Sequence, residues 1–188
     1  EYRNIVTNLR KHKITYHDNA RKFSAKTFPL KKEIKPRSFQ SEAADAWILE
    51  KRGVVTLPTG AGKTILAVIL IAKTGRPTLI HVPTIDLMGQ WNAVLNEYFD
   101  IKIGLLGGGI NDIQLITVAT YDSALLHVSY LGNQFGLQVF DECHHLPGEQ
   151  YKFTALGSIA PFRLGLTATP ERSDGKEKLL YQLCGPLC

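Results

Sequence analysis

The sequence predicts an α/β fold in which helices flank a mainly parallel sheet. Short apolar runs recur along the chain and alternate with stretches of helical periodicity, as expected for a sheet that is buried on both faces. One such run, Val54–Leu57, leads through a glycine-bearing turn into the apolar helical run Ile65–Ala72. This order of strand, glycine turn and helix is typical of a loop that binds phosphate.

The composition is that of one globular domain, with 188 residues of which 44% are hydrophobic and 21% are charged. The longest apolar run, Ile65–Ala72, is too short to cross a bilayer, and the three cysteines lack the paired spacing of a metal site or a disulfide framework. Residues 1–37 contain 11 Lys and Arg against 3 Asp and Glu, whereas residues 38–188 contain 11 against 14. The basic segment predicts a contact with nucleic acid, and a solvated linker is the alternative.

The basic segment is predicted to form a small α/β remnant followed by a linker. The periodicity predicts an amphipathic helix over Tyr2–Lys13, with Ile5 and Leu9 on one face, and a short strand over residues 14–16. Residues 18–36 are polar and basic and contain two prolines, which favours irregular structure.

The rest of the chain, residues 37–188, is predicted to be one domain that opens with a helix from the N-cap Ser38 to Leu49. The apolar face of this helix is expected to consist of Phe39, Ala43, Ala46 and Trp47. The apolar runs predict strands at Val54–Leu57, Thr78–Val82, Ile101–Leu106, Leu115–Thr120, Leu137–Phe140 and Phe162–Thr169. A long helix is predicted to follow Pro83-Thr84 and to end near Phe99, with a core face of Leu87, Trp91, Val94, Leu95 and Tyr98.

The glycine turn has the residue types that binding of ATP and Mg²⁺ requires. Gly60 and Gly62 let the backbone curl so that several N–H groups converge on phosphate oxygens, at a helix N-terminus that adds partial positive charge. Lys63 is expected to reach the outer phosphates, and the Thr64 hydroxyl is expected to ligate Mg²⁺. Leu57 stands where the general pattern has its first glycine. The residues of this turn expected to contact the nucleotide are Thr59, Gly60, Ala61, Gly62, Lys63 and Thr64.

An acidic pair, Asp141-Glu142, directly follows the predicted strand that ends at Phe140. A carboxylate at the end of a buried strand can hold Mg²⁺, usually through water, opposite Thr64. The neighbouring carboxylate can then act as a general base on the water that attacks the γ-phosphate. We therefore expect Asp141 to be a metal residue and Glu142 to be the general base.

Several motifs, taken in order along the chain, resemble those of the superfamily 2 helicases. Leu57–Thr64, Asp141–His144 and Thr167–Thr169 resemble motifs I, II and III. Motif Ia is resembled by Val82–Thr84 together with Gln90-Trp91, and motif Ib by Thr117–Tyr121. The Q motif, which recognises adenine, is resembled by Arg37–Gln40. Within the superfamily the chain is most similar to the XPB group, in its archaeal branch, over residues 141–147, 160–169 and 171–175.

The resemblance implies that residues 37–188 are the first RecA-like motor domain of a DNA-dependent ATPase, a helicase or translocase that acts in DNA repair. Residues 1–36 would be the end of a damage-recognition-like domain plus a linker. The implied cofactors are ATP and Mg²⁺. The implied partners are duplex and single-stranded DNA, a second RecA-like domain missing from this chain and a nuclease, with no membrane. The expected compartment is the cytoplasm of a prokaryote or archaeon, or the nucleus of a eukaryote.

The resemblance also assigns roles to single residues. It implies a catalytic set of Lys63, Asp141, Glu142 and His144, in which His144 couples hydrolysis to the DNA site. Arg37 and Gln40 would help to bind the nucleotide, and coupling would also involve Thr167 and Thr169. DNA contacts are implied for Pro83, Thr84, Thr120, Tyr121, Arg172 and Asp174. The last two belong to a charged Arg-Glu-Asp motif, in which Ser173 replaces the glutamate.

Two other classes of function also fit the sequence. One is the first motor domain of another superfamily 2 enzyme, either an RNA helicase or a restriction-type translocase. The other is a non-catalytic DNA-binding module. Trp91 is expected in the core rather than as a stacking platform for bases, because it lies on the apolar face of its helix. The triplet Gly107–Gly109 fits either an approach to DNA phosphates or a plain flexible turn.

Overall fold

The computed structural model describes residues 2–21, 23–169 and 177–188. Within these ranges the helices are α1 (Tyr2–Lys11), α2 (Ser38–Glu50), α3 (Lys63–Thr74), α4 (Ile85–Tyr98), α5 (Tyr121–Leu126), α6 (Val128–Leu131), α7 (Lys152–Leu156) and α8 (Glu177–Cys184). The strands are β1 (Arg52–Thr56), β2 (Thr78–Val82), β3 (Ile103–Gly107), β4 (Ile110–Asp112), β5 (Ile116–Thr120), β6 (Leu137–Asp141) and β7 (Phe162–Thr167). A 3₁₀ turn over Cys143–His145 follows β6. Among the helices in these ranges, none combines the length and apolar character needed to span a membrane.

The described strands form one sheet in the order β1-β7-β6-β2-β5-β3-β4. Its neighbouring strands are parallel except β3 and β4, which form an antiparallel hairpin at the edge. The mainly parallel sheet predicted from the sequence is therefore confirmed. The carboxyl ends of the parallel strands meet at one edge, which is where ligands bind in folds of this kind. At that edge the strands end at Thr56, Val82, Gly107, Thr120, Asp141 and Thr167.

Helices cover both faces of the sheet. Val139 and Phe140 are neighbours in β6, so their side chains point to opposite faces, and they belong to different buried clusters. The cluster that contains Val139 includes apolar residues of α2, α3 and α4. The cluster that contains Phe140 includes residues of α5 and α8. Burial on both faces explains why the strands read as continuous apolar runs rather than as alternating ones.

The segment predicted as a linker is irregular, but part of it is docked on the main domain. The backbone N–H of Lys26 donates to the carbonyl oxygen of Gly75 at 2.6 Å. Phe28 is buried and packs edge-on against Phe99 of the main domain, with ring centroids 6.0 Å apart. Removing this segment would expose apolar surface of the main domain, so its charges are better tested by substitution than by deletion.

The first residues differ from the prediction in three respects. Helix α1 ends at Lys11, because Lys13 has a φ of 55°, a left-handed conformation that stops a helix. Among the described side chains of this helix Val6 is the buried one, whereas Ile5, which was expected on the apolar face, is 57% exposed. The strand predicted over residues 14–16 is wrong, since none of the described strands pairs with these residues.

Helix α2 begins one residue earlier than predicted, with Arg37 rather than Ser38 at the N-cap. The side chain of Gln40, at position N3, bonds back to this N-cap, because its Oε1 accepts a hydrogen bond from the Arg37 N–H at 2.9 Å. Ala44 is buried in this helix and Ala46 is exposed, which reverses the predicted apolar face at these two positions.

The triplet Gly107–Gly109 forms the turn of the β3–β4 hairpin, with φ values of 148°, 58° and 83° that favour glycine. Strand β4 was not predicted, since three residues with the sequence Ile-Asn-Asp carry no apolar run. A Cβ on Gly108 would lie 3.3 Å from Cδ1 of Ile85. The turn therefore lies against the start of α4, near the carboxyl edge of the sheet.

Candidate active site

The glycine turn connects β1, which ends at Thr56, to α3, which begins at Lys63. Gly60 and Gly62 have φ values of 79° and 84°, in the left-handed region that glycine adopts without strain. A Cβ on Gly62 would also lie 2.5 Å from Nε2 of Gln40, whereas a Cβ on Gly60 would meet nothing within 4 Å. Position 62 therefore requires glycine both for its conformation and for the close approach of Gln40.

Gln40 is buried behind this turn and is 3% exposed. Its Nε2 lies 3.1 Å from the carbonyl oxygen of Ala61 and 3.2 Å from that of Gly62, and it donates to both. Its Oε1 accepts from the backbone N–H of Arg37. The hydrogen bonds of Gln40 thus connect the glycine turn to the start of α2. The adenine contact that the resemblance implies for Gln40 stays a prediction.

Leu57 departs from the general pattern at the start of the turn, and it is 9% exposed and packed in the main core. Its backbone N–H donates to the carbonyl oxygen of Thr167 at 3.1 Å. This bond joins the end of β1 to the end of β7. The residue that replaces glycine therefore anchors the turn to the sheet through both its side chain and its backbone.

A chain of polar contacts runs across the carboxyl edge of the sheet from α3 to β7. Nζ of Lys63 lies 3.3 Å from Oε1 of Glu142, and Nδ1 of His144 lies 3.3 Å from Oε2 of the same carboxylate. Nδ1 of His144 also lies 3.1 Å from Oγ1 of Thr167. The Thr167 hydroxyl in turn donates to the carbonyl oxygen of Thr169 at 2.8 Å. The fold thus brings together side chains that lie far apart in the sequence.

Asp141 lies beside this chain and is 6% exposed. Its Oδ1 accepts from the backbone N–H of Glu142 at 3.0 Å, and its Oδ2 accepts from Nε1 of Trp91 at 2.7 Å. Burial raises the pKa of Asp141, whereas the hydrogen bond from Trp91 lowers it. Trp91 is itself 2% exposed, as the prediction of a core position required. Its polar contact with Asp141 was not predicted.

Glu142 has a φ of 46° and a ψ of 50°, a left-handed conformation that is uncommon for a residue with a side chain. It stands between β6 and the 3₁₀ turn that contains His144. Backbone strain of this kind persists where surrounding contacts fix it, and it is concentrated at functional sites. Here the contacts of the Glu142 carboxylate with Lys63 and His144 hold the residue in this conformation.

Beneath the site lies a second set of buried polar side chains that sequence reasoning missed. The Tyr121 hydroxyl donates to the backbone oxygen of Asp141 at 2.9 Å, and burial raises the pKa of Tyr121 well above its usual value. His81 stacks on Phe140 with ring centroids 4.6 Å apart and is hydrogen-bonded to Gln138. Burial lowers the pKa of His81 to about 4, so the ring is neutral in the fold at neutral pH. In the sequence this set is indicated by His81 and Gln138, which are polar residues inside apolar strands.

Two of the predicted DNA contacts lie at the start of α4. Thr84 is exposed and caps this helix, since its hydroxyl accepts from the Leu87 N–H at 3.2 Å. Pro83, which is partly exposed, precedes it. The residue that follows them, Ile85, lies against Gly108 of the turn Gly107–Gly109, so the start of α4 and this turn form one surface near the carboxyl edge.

The other predicted DNA contacts are less accessible or lie outside the described residues. Thr120 is 7% exposed and caps α5, and Tyr121 is 1% exposed. The Tyr121 hydroxyl donates to the backbone oxygen of Asp141, and the DNA contact that the resemblance implies for this residue stays a prediction. Arg172 and Asp174 lie in the range 170–176, which the structure does not describe.

Comparison with known proteins assigns the chain to a family. Residues 33–172, more than half of the chain, match the model of the family described as "Type III restriction enzyme, res subunit". The chain belongs to this family. Within it the chain is XPB-like, and the resemblance to the XPB group of superfamily 2 helicases is confirmed. It is 52% identical over 161 residues to the DNA 3'-5' translocase XPB2 of Sulfurisphaera tokodaii. It is also 35% identical over 161 residues to the DNA 3'-5' helicase XPB of Mycobacterium tuberculosis.

The XPB-like chain corresponds to only part of these relatives. The aligned residues make up 85% and 80% of this chain but 37% and 29% of the Sulfurisphaera and Mycobacterium proteins. Among solved structures, the UvsW helicase of bacteriophage T4 is similar, with a TM-score of 0.74 and 22% identity. That match covers 88% of this chain and 64% of the UvsW chain. At this low identity it bears on the fold alone, and it confirms the predicted RecA-like domain.

Proposed function

We propose that this XPB-like chain is the first motor domain of a DNA-dependent ATPase that acts as a DNA helicase or translocase in DNA repair. The proposal rests on one observation, which is the series of polar contacts beside the glycine turn that runs from Lys63 through Glu142 and His144 to Thr167. The relatives named as a DNA translocase and a DNA helicase favour DNA over RNA as the nucleic acid.

The residues present fit ATP and Mg²⁺. The glycine turn and the N-terminus of α3 supply backbone N–H donors for phosphate oxygens, and Lys63 supplies an ammonium group for the outer phosphates. Thr64 in the first turn of α3 and Asp141 at the end of β6 supply oxygen ligands of the kind that Mg²⁺ prefers. When bound, Mg²⁺ would neutralise charge on the phosphates as the γ-phosphate is transferred.

Glu142 would take the proton from the attacking water as general base. One oxygen of its carboxylate contacts Lys63 and the other contacts His144, so the orientation of the carboxylate depends on both partners. His144 also contacts Thr167, whose hydroxyl bonds to the backbone of Thr169. A change in the contacts of Glu142 during hydrolysis would therefore reach the segment that follows β7.

A second RecA-like domain would complete this site in the longer protein. In motors of this type such a domain supplies an arginine finger, which contributes about 10³- to 10⁵-fold in rate. The domain described here is therefore expected to hydrolyse ATP poorly by itself. A damage-recognition-like domain before residue 37 and a nuclease partner also belong to the proposal, on the family resemblance.

The proposal is tested by the nucleic-acid dependence of ATP hydrolysis in a chain that includes the second domain. Release of inorganic phosphate is expected to rise when duplex or single-stranded DNA is added, and to remain at its basal rate with RNA. A Lys63→Ala variant controls for contaminating ATPases. Stimulation by RNA alone would favour an RNA helicase, and DNA binding without any hydrolysis would favour a non-catalytic module.

The basic segment is proposed to contact DNA phosphates, and this predicts a salt effect. Lys11 and Lys13 are exposed, so their replacement by glutamine leaves the docked residues around Phe28 in place. The logarithm of affinity for duplex DNA falls with the logarithm of salt concentration by about 0.9 per phosphate contact. The K11Q/K13Q variant is therefore expected to lower this slope by up to about 1.8, whatever the DNA sequence.

The matched control for this titration replaces two exposed lysines of the main domain, Lys73 and Lys178, by glutamine. It makes the same change in net charge without touching the basic segment. Labelled duplex is titrated at several salt concentrations with each variant. An equal slope for the two variants and the unmodified chain would show that the segment is a solvated linker.

A further inference from the structure

We propose that Trp91 is a positioning residue that holds the carboxylate of Asp141 in the orientation needed at the Mg²⁺ site. Trp91 lies on α4, is 2% exposed, and its Nε1 donates to Oδ2 of Asp141 at 2.7 Å. The inference rests on the proposed function, because it takes Asp141 as the metal-holding carboxylate. It adds a role for a residue that the sequence assigned to the core alone.

The chemistry of the indole ring makes this contact specific. Indole carries a single polar atom, the Nε1–H donor, and a buried donor without an acceptor is costly. An apolar ring without an N–H would fill the same core position without needing a partner. The distance of 2.7 Å lies at the short end of the range for an N–H donor, as expected when the acceptor is a carboxylate.

Asp141 is held from both faces of the sheet. On the α4 side, Trp91 binds Oδ2, and the backbone N–H of Glu142 binds Oδ1 at 3.0 Å. On the α5 side, the Tyr121 hydroxyl binds the backbone oxygen of the same residue at 2.9 Å. The two bonds to the side chain together oppose rotation of the carboxylate. Of the two, only the bond from Trp91 can be removed by a side-chain substitution.

Trp47 provides a matched comparison within the same chain, which contains two tryptophans. It is 0% exposed, and its Nε1 also makes a buried hydrogen bond, at 3.0 Å. The acceptor is the backbone oxygen of Arg163, near the start of β7. This atom lies at the amino-terminal ends of the parallel strands, whereas the glycine turn lies at their carboxyl ends. Replacing either tryptophan by phenylalanine removes one indole and one buried hydrogen bond, but only Trp91→Phe releases a carboxylate of the site.

The first experiment compares the variants Trp91→Phe and Trp47→Phe of this chain, using a fluorescently labelled ADP at increasing Mg²⁺ concentrations. Partners that orient a metal-holding side chain typically contribute about 10- to 100-fold to metal affinity. The Mg²⁺ concentration for half-maximal binding is therefore expected to rise about tenfold in Trp91→Phe and to stay unchanged in Trp47→Phe. In EDTA both variants should bind labelled ADP as the unmodified chain does. An equal Mg²⁺ requirement in the two variants would overturn the inference.

A second measurement leaves Trp91 in place and so does not depend on the folding of its variant. In the Trp47→Phe protein, Trp91 is the sole tryptophan, and its emission reports on the acceptor of its N–H. Adding Mg²⁺ to the ADP complex is expected to change this emission, and Asp141→Asn should abolish the change. Unaltered emission, when calorimetry shows Mg²⁺-dependent ADP binding, would count against the role of Trp91. Failure of the unmodified chain to bind Mg²⁺·ADP would instead overturn the proposed function.

Discussion

Replacing Lys63 with alanine is expected to lower the affinity of the chain for Mg²⁺·ADP by about 10- to 100-fold. The ammonium group lies at the first residue of α3, directly after the glycine turn, and its side chain is 13% exposed. A charge-assisted hydrogen bond to phosphate contributes about 1.5–3 kcal/mol, which corresponds to this range of affinity. The backbone donors of the turn remain in the variant, so binding should weaken rather than disappear.

The matched control for this experiment is Lys73→Ala. Lys73 lies in the last turn of the same helix and pairs with Asp45 at 2.8 Å on the surface. Calorimetric titration with Mg²⁺·ADP should give the same affinity for this control and for the unmodified chain, because the removed charge lies at the other end of α3. Equal affinities for Lys63→Ala and Lys73→Ala would contradict the assignment of Lys63 to phosphate.

The sequence predicts the centre of this fold better than its edges. Strands β2, β5 and β6 were predicted to within one residue at either end, because strands buried on both faces must be apolar throughout. Strand β4 and the rejected strand over residues 14–16 depend instead on a pairing partner. Ile-Asn-Asp pairs because the glycine turn folds it back onto β3, whereas residues 14–16 have no described strand beside them. Pairing is a property of the three-dimensional arrangement that a local pattern does not contain.

The candidate site divides in a similar way. Some residues of the site have a chemistry that follows from a local motif, as Lys63 and Asp141 do. These residues lie at the ends of the helix and the strand where the sequence predicted them. Their supporting contacts join residues that are distant in the sequence, as in the bonds of Trp91 and Tyr121 to Asp141. Trp91 was correctly predicted in the core, but an apolar face does not indicate which acceptor its N–H will reach. Local sequence therefore locates the candidate reacting groups, and the tertiary fold determines how they are held.

Replacing Glu142 with glutamine is expected to reduce ATP turnover by about 10²- to 10⁴-fold while ATP affinity is retained, in a chain that includes the second RecA-like domain. A general base contributes about this factor, and an amide has a similar shape but very low basicity. The structure adds an expectation about binding. Because Lys63 lies 3.3 Å from Oε1 of Glu142, the phosphates compete with this carboxylate for the ammonium group. Removing the negative charge should therefore leave ATP affinity equal or higher.

The control for this variant is Glu149→Gln, which neutralises an exposed carboxylate a few residues further along the same segment. Its turnover and its ATP affinity should both match those of the unmodified chain. Turnover is followed by release of inorganic phosphate with saturating DNA, and affinity is measured by titration with a nonhydrolysable ATP analogue. Weaker binding of the analogue with turnover intact would show that Glu142 contributes to nucleotide binding instead of acting as the base. Loss of both would indicate that the left-handed turn at Glu142, with its contacts to Lys63 and His144, has collapsed, and circular dichroism and thermal unfolding of the variant would detect that change.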